Sequence, residues 1–231
     1  MIDGRSVDTS EYRAAAVISS LCSEYGTDGL IIIGDSSVPG CAFGMEFFNP
    51  DGTSGMMCGN GGRCCVAFAA ELGIINDKCE FEAPDGIHTA WINGSTVRLS
   101  MSEPSELFRV LDGWFINTGA RHFVKFVLDV KSVDVGVEGR ILRNHPAFVP
   151  EGANVDFVQR NPDGSLSIRT FEKGVERETL ACGTGITAAA LVSLHIDGTT
   201  PNPVTIHATE ADLFVEKTPS GIFLTGPAIR I

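Results

Sequence analysis

Two segments of this sequence place a cysteine immediately before a glycine-rich turn into a predicted helix: Met57-Cys58-Gly59-Asn60-Gly61-Gly62-Arg63-Cys64 and Ala181-Cys182-Gly183-Thr184-Gly185. Backbone N–H groups at a helix start have no intrahelical partner, and the helix dipole adds partial positive charge there. A thiol so placed is expected to ionise below the ordinary cysteine value of about 8.5 and to act as a base. The glycines let backbone approach a ligand, and the same N–H groups can bind a carboxylate. Two such sites facing each other would hold one carboxylate; if it belongs to an amino acid, its α-carbon lies between two thiols. One thiolate then removes the α-proton while the opposite thiol supplies one to the other face, with fixed dipoles stabilising the enolate-like charge. Stereochemical inversion is the natural product. A cysteine at a tight glycine turn is also a common small core residue, so it is the repetition of context that favours chemistry.

The surrounding pattern predicts the elements that hold these segments. Residues 10 to 24 read as an amphipathic helix with Val17, Ile18 and Leu21 on its apolar face. Leu30 to Ile33 and Ala42 to Phe48 read as strands, and Arg63 to Leu72 as a helix ending at Gly73. Strands around 79–82, 86–92 and 96–101 are punctuated by the hairpin signals Asp85-Gly86 and Asn93-Gly94. From about residue 114 a second series begins, with strands at 122–128, 155–159 and 165–171, a helix at 186–195 and closing strands at 204–207, 213–216 and 221–225. The order repeats. The predicted fold is therefore α+β: two similar lobes, 1–113 carrying Cys58 and 114–231 carrying Cys182, each a mostly antiparallel curved sheet around a central helix, with the active site in the cleft between them. Asn49-Pro50-Asp51-Gly52 recurs as Asn161-Pro162-Asp163-Gly164; the second copy reads as a hairpin turn only.

Composition narrows the setting. The chain has 231 residues, 43% of them hydrophobic, which suffices for a packed core. A formal charge of -12 argues against nucleic acid and anionic membrane as partners. No 18-residue apolar run or signal-peptide pattern opens the sequence, so a cytoplasmic location is expected. The seven cysteines have no paired spacing, which predicts reduced thiols, and without Cys-x-x-Cys no metal site is expected. Five lysines, none in a distinctive cofactor-binding turn, make a pyridoxal-phosphate enzyme a poor fit, and no cofactor is expected.

The first segment, together with Glu178-Thr179-Leu180-Ala181-Cys182-Gly183-Thr184-Gly185, resembles the two signatures of diaminopimelate epimerases. Asn60 stands where the similar proline racemases carry His. Gly26-Thr27-Asp28-Gly29-Leu30, Phe48-Asn49-Pro50-Asp51-Gly52, His122, His145-Pro146-Ala147-Phe148 and Gly152-Ala153-Asn154-Val155 extend the resemblance along most of the chain. It implies that Cys58 and Cys182 are the acid and base and that Gly59, Asn60, Gly183 and Thr184 bind the reacting α-carboxylate. It further implies that Asn49, Asn154 and Glu172 hold the substrate, an amino acid, and that His122 lies near the site, where a hydrogen-bonded structural imidazole is an equal reading. The implied role is in lysine and cell-wall precursor synthesis; the assembly state stays open, a homodimer among the choices.

Three departures from the family pattern stand out. Lys173 replaces the usual Arg after Glu172, keeping charge but losing the bidentate fork; Glu176-Arg177 is the alternative register. In Asn117-Thr118-Gly119-Ala120-Arg121-His122 the family often has Asn then Pro before its His; Ala120 cannot supply an amide, which leaves Arg121 as a candidate for the distal carboxylate. The family also opens on a strand and a Gly-x-Gly-Asn turn that this sequence starts after, and closes about one strand later than Ile231. Rival readings are a racemase for another amino acid, a thiol redox sensor using the same two cysteines, and an inactive binding protein.

Overall fold

A computed structural model describes residues 1–209 and 211–229. The chain divides into two compact units, Met1–Leu99 joined by the chain end from Ala228, and Ser100–Pro227.

The first unit contains β1 (Ile2–Asp3), α1 (Ala15–Tyr25), β2 (Leu30–Gly34), β3 (Gly44–Phe48), α2 (Gly59–Glu71), β4 (Lys78–Ala83), β5 (Gly86–Asn93) and β6 (Thr96–Met101), whose last two residues cross the division. Its strands lie in the order β1-β2-β3-β4-β5-β6, with β1/β2 and β3/β4 parallel and the rest antiparallel. The run Leu30-Ile31-Ile32-Ile33 has no polar alternation because both of its faces are covered. Leu30 and Ile32 pack with Ile18 and Cys22 of α1, whereas Ile31 lies with Met45 beside Gly61 of α2. The helix predicted over 10–24 is in two pieces, a 3₁₀ turn at Ser10–Arg13 and then α1, broken by extended backbone at Ala14. The helix expected from Arg63 starts at Gly59, so the glycines are its first turn.

The second unit contains β7 (Ser105–Val110), β8 (Gly113–Asn117), β9 (Arg121–Phe126), α3 (Val135–Arg143), β10 (Asn154–Arg160), β11 (Leu166–Glu172), β12 (Arg177–Thr179), α4 (Gly183–Ile196), β13 (Val204–His207), β14 (Asp212–Thr218) and β15 (Gly221–Pro227). Strand order is β7-β8-β9-β10-β11-β13-β14-β15, with β12 on the side of β11, and only β9/β10 and β11/β13 are parallel. Because β7 pairs with β8 through Phe108 and Phe115, residues 100–113 belong to this unit, and the division falls one hairpin strand before the boundary read at 113/114. The strands and helices together give the expected α+β class, with two helices in each unit; the first unit's two and α4 were predicted, and α3 was not.

The second sheet is also covered on both faces. α4, buried from Gly183 to Ser193, packs on β8, β9, β10, β11, β13 and β14. On the other face α3 closes an aromatic cluster of Phe115, Phe123, Phe148, Phe157 and Phe171 with Val135 and Val155. α3 escapes the sequence reading because Gly136 and Gly139 weaken its helical signal. The structure shows what Gly139 is for: a Cβ there would lie 2.4 Å from Phe171 Cβ, whereas one at Gly136 would meet nothing closer than 3.6 Å.

Gly139→Ala is therefore expected to cost about 1–3 kcal/mol by overpacking, a fall of roughly 2–10 °C in the apparent thermal midpoint, while Gly136→Ala holds or raises it. Thermal unfolding of both variants followed by circular dichroism checks this; equal midpoints would mean that α3 does not depend on that close approach.

Candidate active site

In the first unit Cys58 is the N-cap residue of α2, and its Sγ accepts the Gly61 N–H at 3.2 Å. A side chain at position 61 would put its Cβ 3.2 Å from that sulfur, so glycine keeps the turn open. Arg63, one turn on and buried, donates Nη1 to the Gly59 carbonyl at 3.0 Å and Nη2 to Asn60 Oδ1 at 2.8 Å. Burial works against its charge, and the electrostatic attraction of Cys64 and Cys58 works for it. A buried guanidinium thus locks the turn that carries Gly59 and Asn60 and favours the anionic form of the Cys58 sulfur. Asn49 sits at the turn after β3, where its amide donates to Thr53 Oγ1 at 3.0 Å, as Asn161 does to Ser165 Oγ at 2.9 Å. The two Asn-Pro-Asp-Gly turns are built alike, with φ of 84° at both Gly52 and Gly164.

In the second unit Cys182 is the N-cap residue of α4, with its Sγ 3.4 Å from the Thr184 hydroxyl and near the Gly185 N–H. Burial pushes this thiol well above its usual range, and the charges of Glu172 and Asp156 add to that; the Thr184 hydroxyl and the Gly185 N–H pull the other way. The expectation that a helix start lowers the pKa thus fails at Cys182, because desolvation and two nearby carboxyl groups outweigh the dipole.

From Thr184 the polar contacts continue inward. Its Oγ1 is 2.9 Å from His122 Nε2, and His122 Nδ1 is 2.7 Å from Asp156 Oδ2, with both side chains fully buried. Thr170 donates to Asp156 Oδ1 at 2.7 Å, and Thr118 donates to the Thr184 carbonyl at 2.9 Å. Strand register assembles the group: His122 is level with Asn154, and Asp156 with Thr170. A Cβ at Gly185 would fall 2.5 Å from Asp156 Oδ1 and 3.2 Å from His122 Cε1, so α4 can start here only on a glycine.

Asn154 fixes the imidazole tautomer. Its Oδ1 accepts the Lys173 N–H at 2.8 Å, which turns Nδ2 toward the Arg121 carbonyl at 3.0 Å and His122 Nε2 at 3.4 Å. A donor facing Nε2 leaves that nitrogen without hydrogen, so Nδ1–H donates to Asp156.

Glu172, on β11, accepts the Thr179 hydroxyl at 2.9 Å and acts electrostatically on Cys182, whereas Glu176 is held by Arg143 Nε at 2.9 Å. Lys173 Nζ donates to the Glu151 carbonyl at 2.9 Å, and Arg121 pairs with the Glu151 carboxylate while lying over the Phe115 ring. Residues 121, 151 and 173 thus gather at one edge of the group. The sequence reading missed Arg63, Asp156 and Thr170. Asp156 had a visible signal, a carboxylate inside the apolar run Val155-Asp156-Phe157-Val158.

All seven cysteines are free thiols, and no helix among the described residues is long and apolar enough to cross a membrane. Residues 114–231 match the sequence model of the diaminopimelate epimerase family. The diaminopimelate epimerase of Aquifex aeolicus is 41% identical over 219 residues, covering 89% of this chain and 78% of that protein. That of Flavobacterium psychrophilum is 39% identical over 238 residues, covering 99% and 91%. Among solved structures, a Bacillus anthracis phenazine biosynthesis protein of the PhzF family superposes with a TM-score of 0.71 at 13% identity, over 97% of this chain and 88% of that one. A hydroxyproline epimerase from Agrobacterium vitis gives 0.61 at 15% identity, over 86% and 72%. The fold is shared with those two proteins, and by its sequence the chain belongs to the diaminopimelate epimerase family.

Proposed function

We infer that the protein interconverts LL- and meso-diaminopimelate, with Cys58 and Cys182 as the two proton-transfer groups. The observation that carries the reading is the matched placement of these cysteines as N-cap residues of α2 and α4, in a chain of this family. Inversion requires two groups addressing opposite faces of one α-carbon, one of them anionic and one protonated. Arg63, attracted to Cys58, supports the anionic role there, and the burial that raises Cys182 supports the protonated role. The N–H groups of Gly59, Asn60, Gly183 and Thr184 belong to the first turns of the two helices, where a carboxylate is stabilised, and they would also bear the charge that develops on proton removal.

Asn49, Asn154, Glu172 and Lys173 complete the substrate contacts in this reading, with Arg121 beside them. Lys173 and Arg121 are the candidate cations for a distal carboxylate, and both contact Glu151. Two thiols supply both proton positions, so the chemistry calls on no cofactor. Because it needs reduced cysteines, it suits the cytoplasm, and a homodimer is compatible with it.

The test is α-proton exchange of LL- and meso-diaminopimelate in deuterated water under reducing conditions. Exchange with inversion is expected from the wild-type protein and is lost in Cys58→Ala and Cys182→Ala; a folded wild-type protein that exchanges neither isomer would sink the reading in favour of another amino acid. Arg63→Gln is expected to slow alkylation of Cys58 by iodoacetamide at neutral pH several-fold, since it removes the cation that favours the thiolate. Unchanged reactivity at Cys58, measured by mass spectrometry, would remove Arg63 from that role.

A further inference from the structure

We propose that Asn60-Gly61 is a latent deamidation site, held unreactive by Arg63 and Cys58, and that Asn93-Gly94 is the site that deamidates in the folded chain. These are the two Asn-Gly pairs of the sequence. Asparagine is a thermolabile residue, and a following glycine puts no side chain in the path of the attacking amide. In the reaction the glycine backbone nitrogen bonds to the asparagine Cγ, the C–N bond of the side-chain amide breaks and ammonia leaves, giving a succinimide. Water then opens that ring at either carbonyl to leave aspartate or isoaspartate.

Cyclisation requires the nitrogen and Cγ to reach a near-attack separation, with the amide proton free to leave. At Asn60 both reacting groups are held. Gly61 donates its N–H to Cys58 Sγ at 3.2 Å; Arg63 donates Nη2 to Asn60 Oδ1 at 2.8 Å and anchors Nη1 on the Gly59 carbonyl at 3.0 Å. Gly61 and Arg63 are buried in the start of α2, where the Gly62 N–H closes on the Cys58 carbonyl at 2.8 Å. Bringing the Gly61 nitrogen onto Asn60 Cγ means unwinding that turn. Asn93 is under no such restraint. It ends β5, it and Gly94 are exposed, and its side chain has no hydrogen bond among the described residues. Gly94, with φ of 58°, opens the two-residue loop that leads to Thr96.

Reaction at Asn60 strikes the turn that carries Cys58. Isoaspartate adds a methylene to the backbone and takes the Gly61 and Gly62 N–H groups out of register with residue 58. Aspartate puts a negative charge where a substrate carboxylate is expected. This consequence for activity rests on the two-cysteine reading above; the latency of the site does not.

The test incubates the full chain in warm, mildly alkaline buffer and follows both sites by peptide mapping with mass spectrometry, for wild type, Arg63→Gln and Gly139→Ala, the last placed in the other unit. Circular dichroism confirms folding. In the wild-type protein Asn60 is expected to react at least roughly tenfold more slowly than Asn93, because it reacts only from locally opened chains, whereas in concentrated urea the two rates come within about threefold of each other. Arg63→Gln is expected to speed Asn60 roughly tenfold, through loss of a charge-assisted hydrogen bond, and to leave Asn93 within about twofold. Four results overturn the latency: Asn60 as fast as Asn93 in the folded wild type, a difference that persists in urea, an unchanged Asn60 rate in folded Arg63→Gln, or an equal gain in Gly139→Ala. The urea comparison decides the case if Arg63→Gln does not fold. Asn60→Asp is expected to lose α-proton exchange of diaminopimelate by roughly tenfold or more, and exchange at the wild-type rate overturns the consequence for activity. Absence of exchange in the wild-type protein counts against the substrate reading and leaves the peptide map to decide the latency.

Discussion

An imidazole and a carboxylate without solvent access, 2.7 Å apart, set the conditions that the rest of the second unit must meet. Removing either partner would leave a buried polar group uncompensated, a cost of several kcal/mol, so the pair has to be surrounded by partners. Those partners come from different elements: Thr170 from β11, Thr184 from α4 and Asn154 from β10. Parallel pairing of β9 with β10 brings His122 level with Asn154, and a one-residue slip would turn Asp156 into the aromatic cluster. The start of α4 is fixed by the same demand, since Gly185 rests against both members of the pair.

The two cysteine N-caps look equivalent in sequence and differ in electrostatics. Cys58 has a backbone N–H on its sulfur and a buried guanidinium in the next turn; Cys182 has a threonine hydroxyl, the Gly185 N–H and two carboxyl groups. The helix dipole, common to both, is a modest term of roughly 0.3–1 kcal/mol, and at Cys182 burial and nearby charge outweigh it.

Most strands were legible because hairpin signals and β-branched runs bound them closely: Thr96–Met101 and Val204–His207 match the sequence reading at both ends. α3 was not, since the glycine that lets it dock on Phe171 also erases its helical signature. The helix starts at Gly59 and Gly183 were placed too late for a related reason, as glycine is read as turn when its neighbours cannot be seen. Of the site, the cysteines and their glycines stood out by repetition. Arg63 and Asp156 did not, because a charge becomes informative once its burial is known, and burial is a property of the assembled sheet rather than of the local string.

β10 separates packing from chemistry along one strand. Val155 and Phe157 belong to the aromatic cluster, while Asn154 and Asp156, alternating with them, face the polar group under α4. Selection can therefore act on the two sets as independent inheritances. Hydrophobic exchange at 155 and 157 would alter how firmly the strand is seated, and substitution at 154 and 156 would alter what it can titrate. A lineage could drift through many cores while its proton chemistry stayed the same.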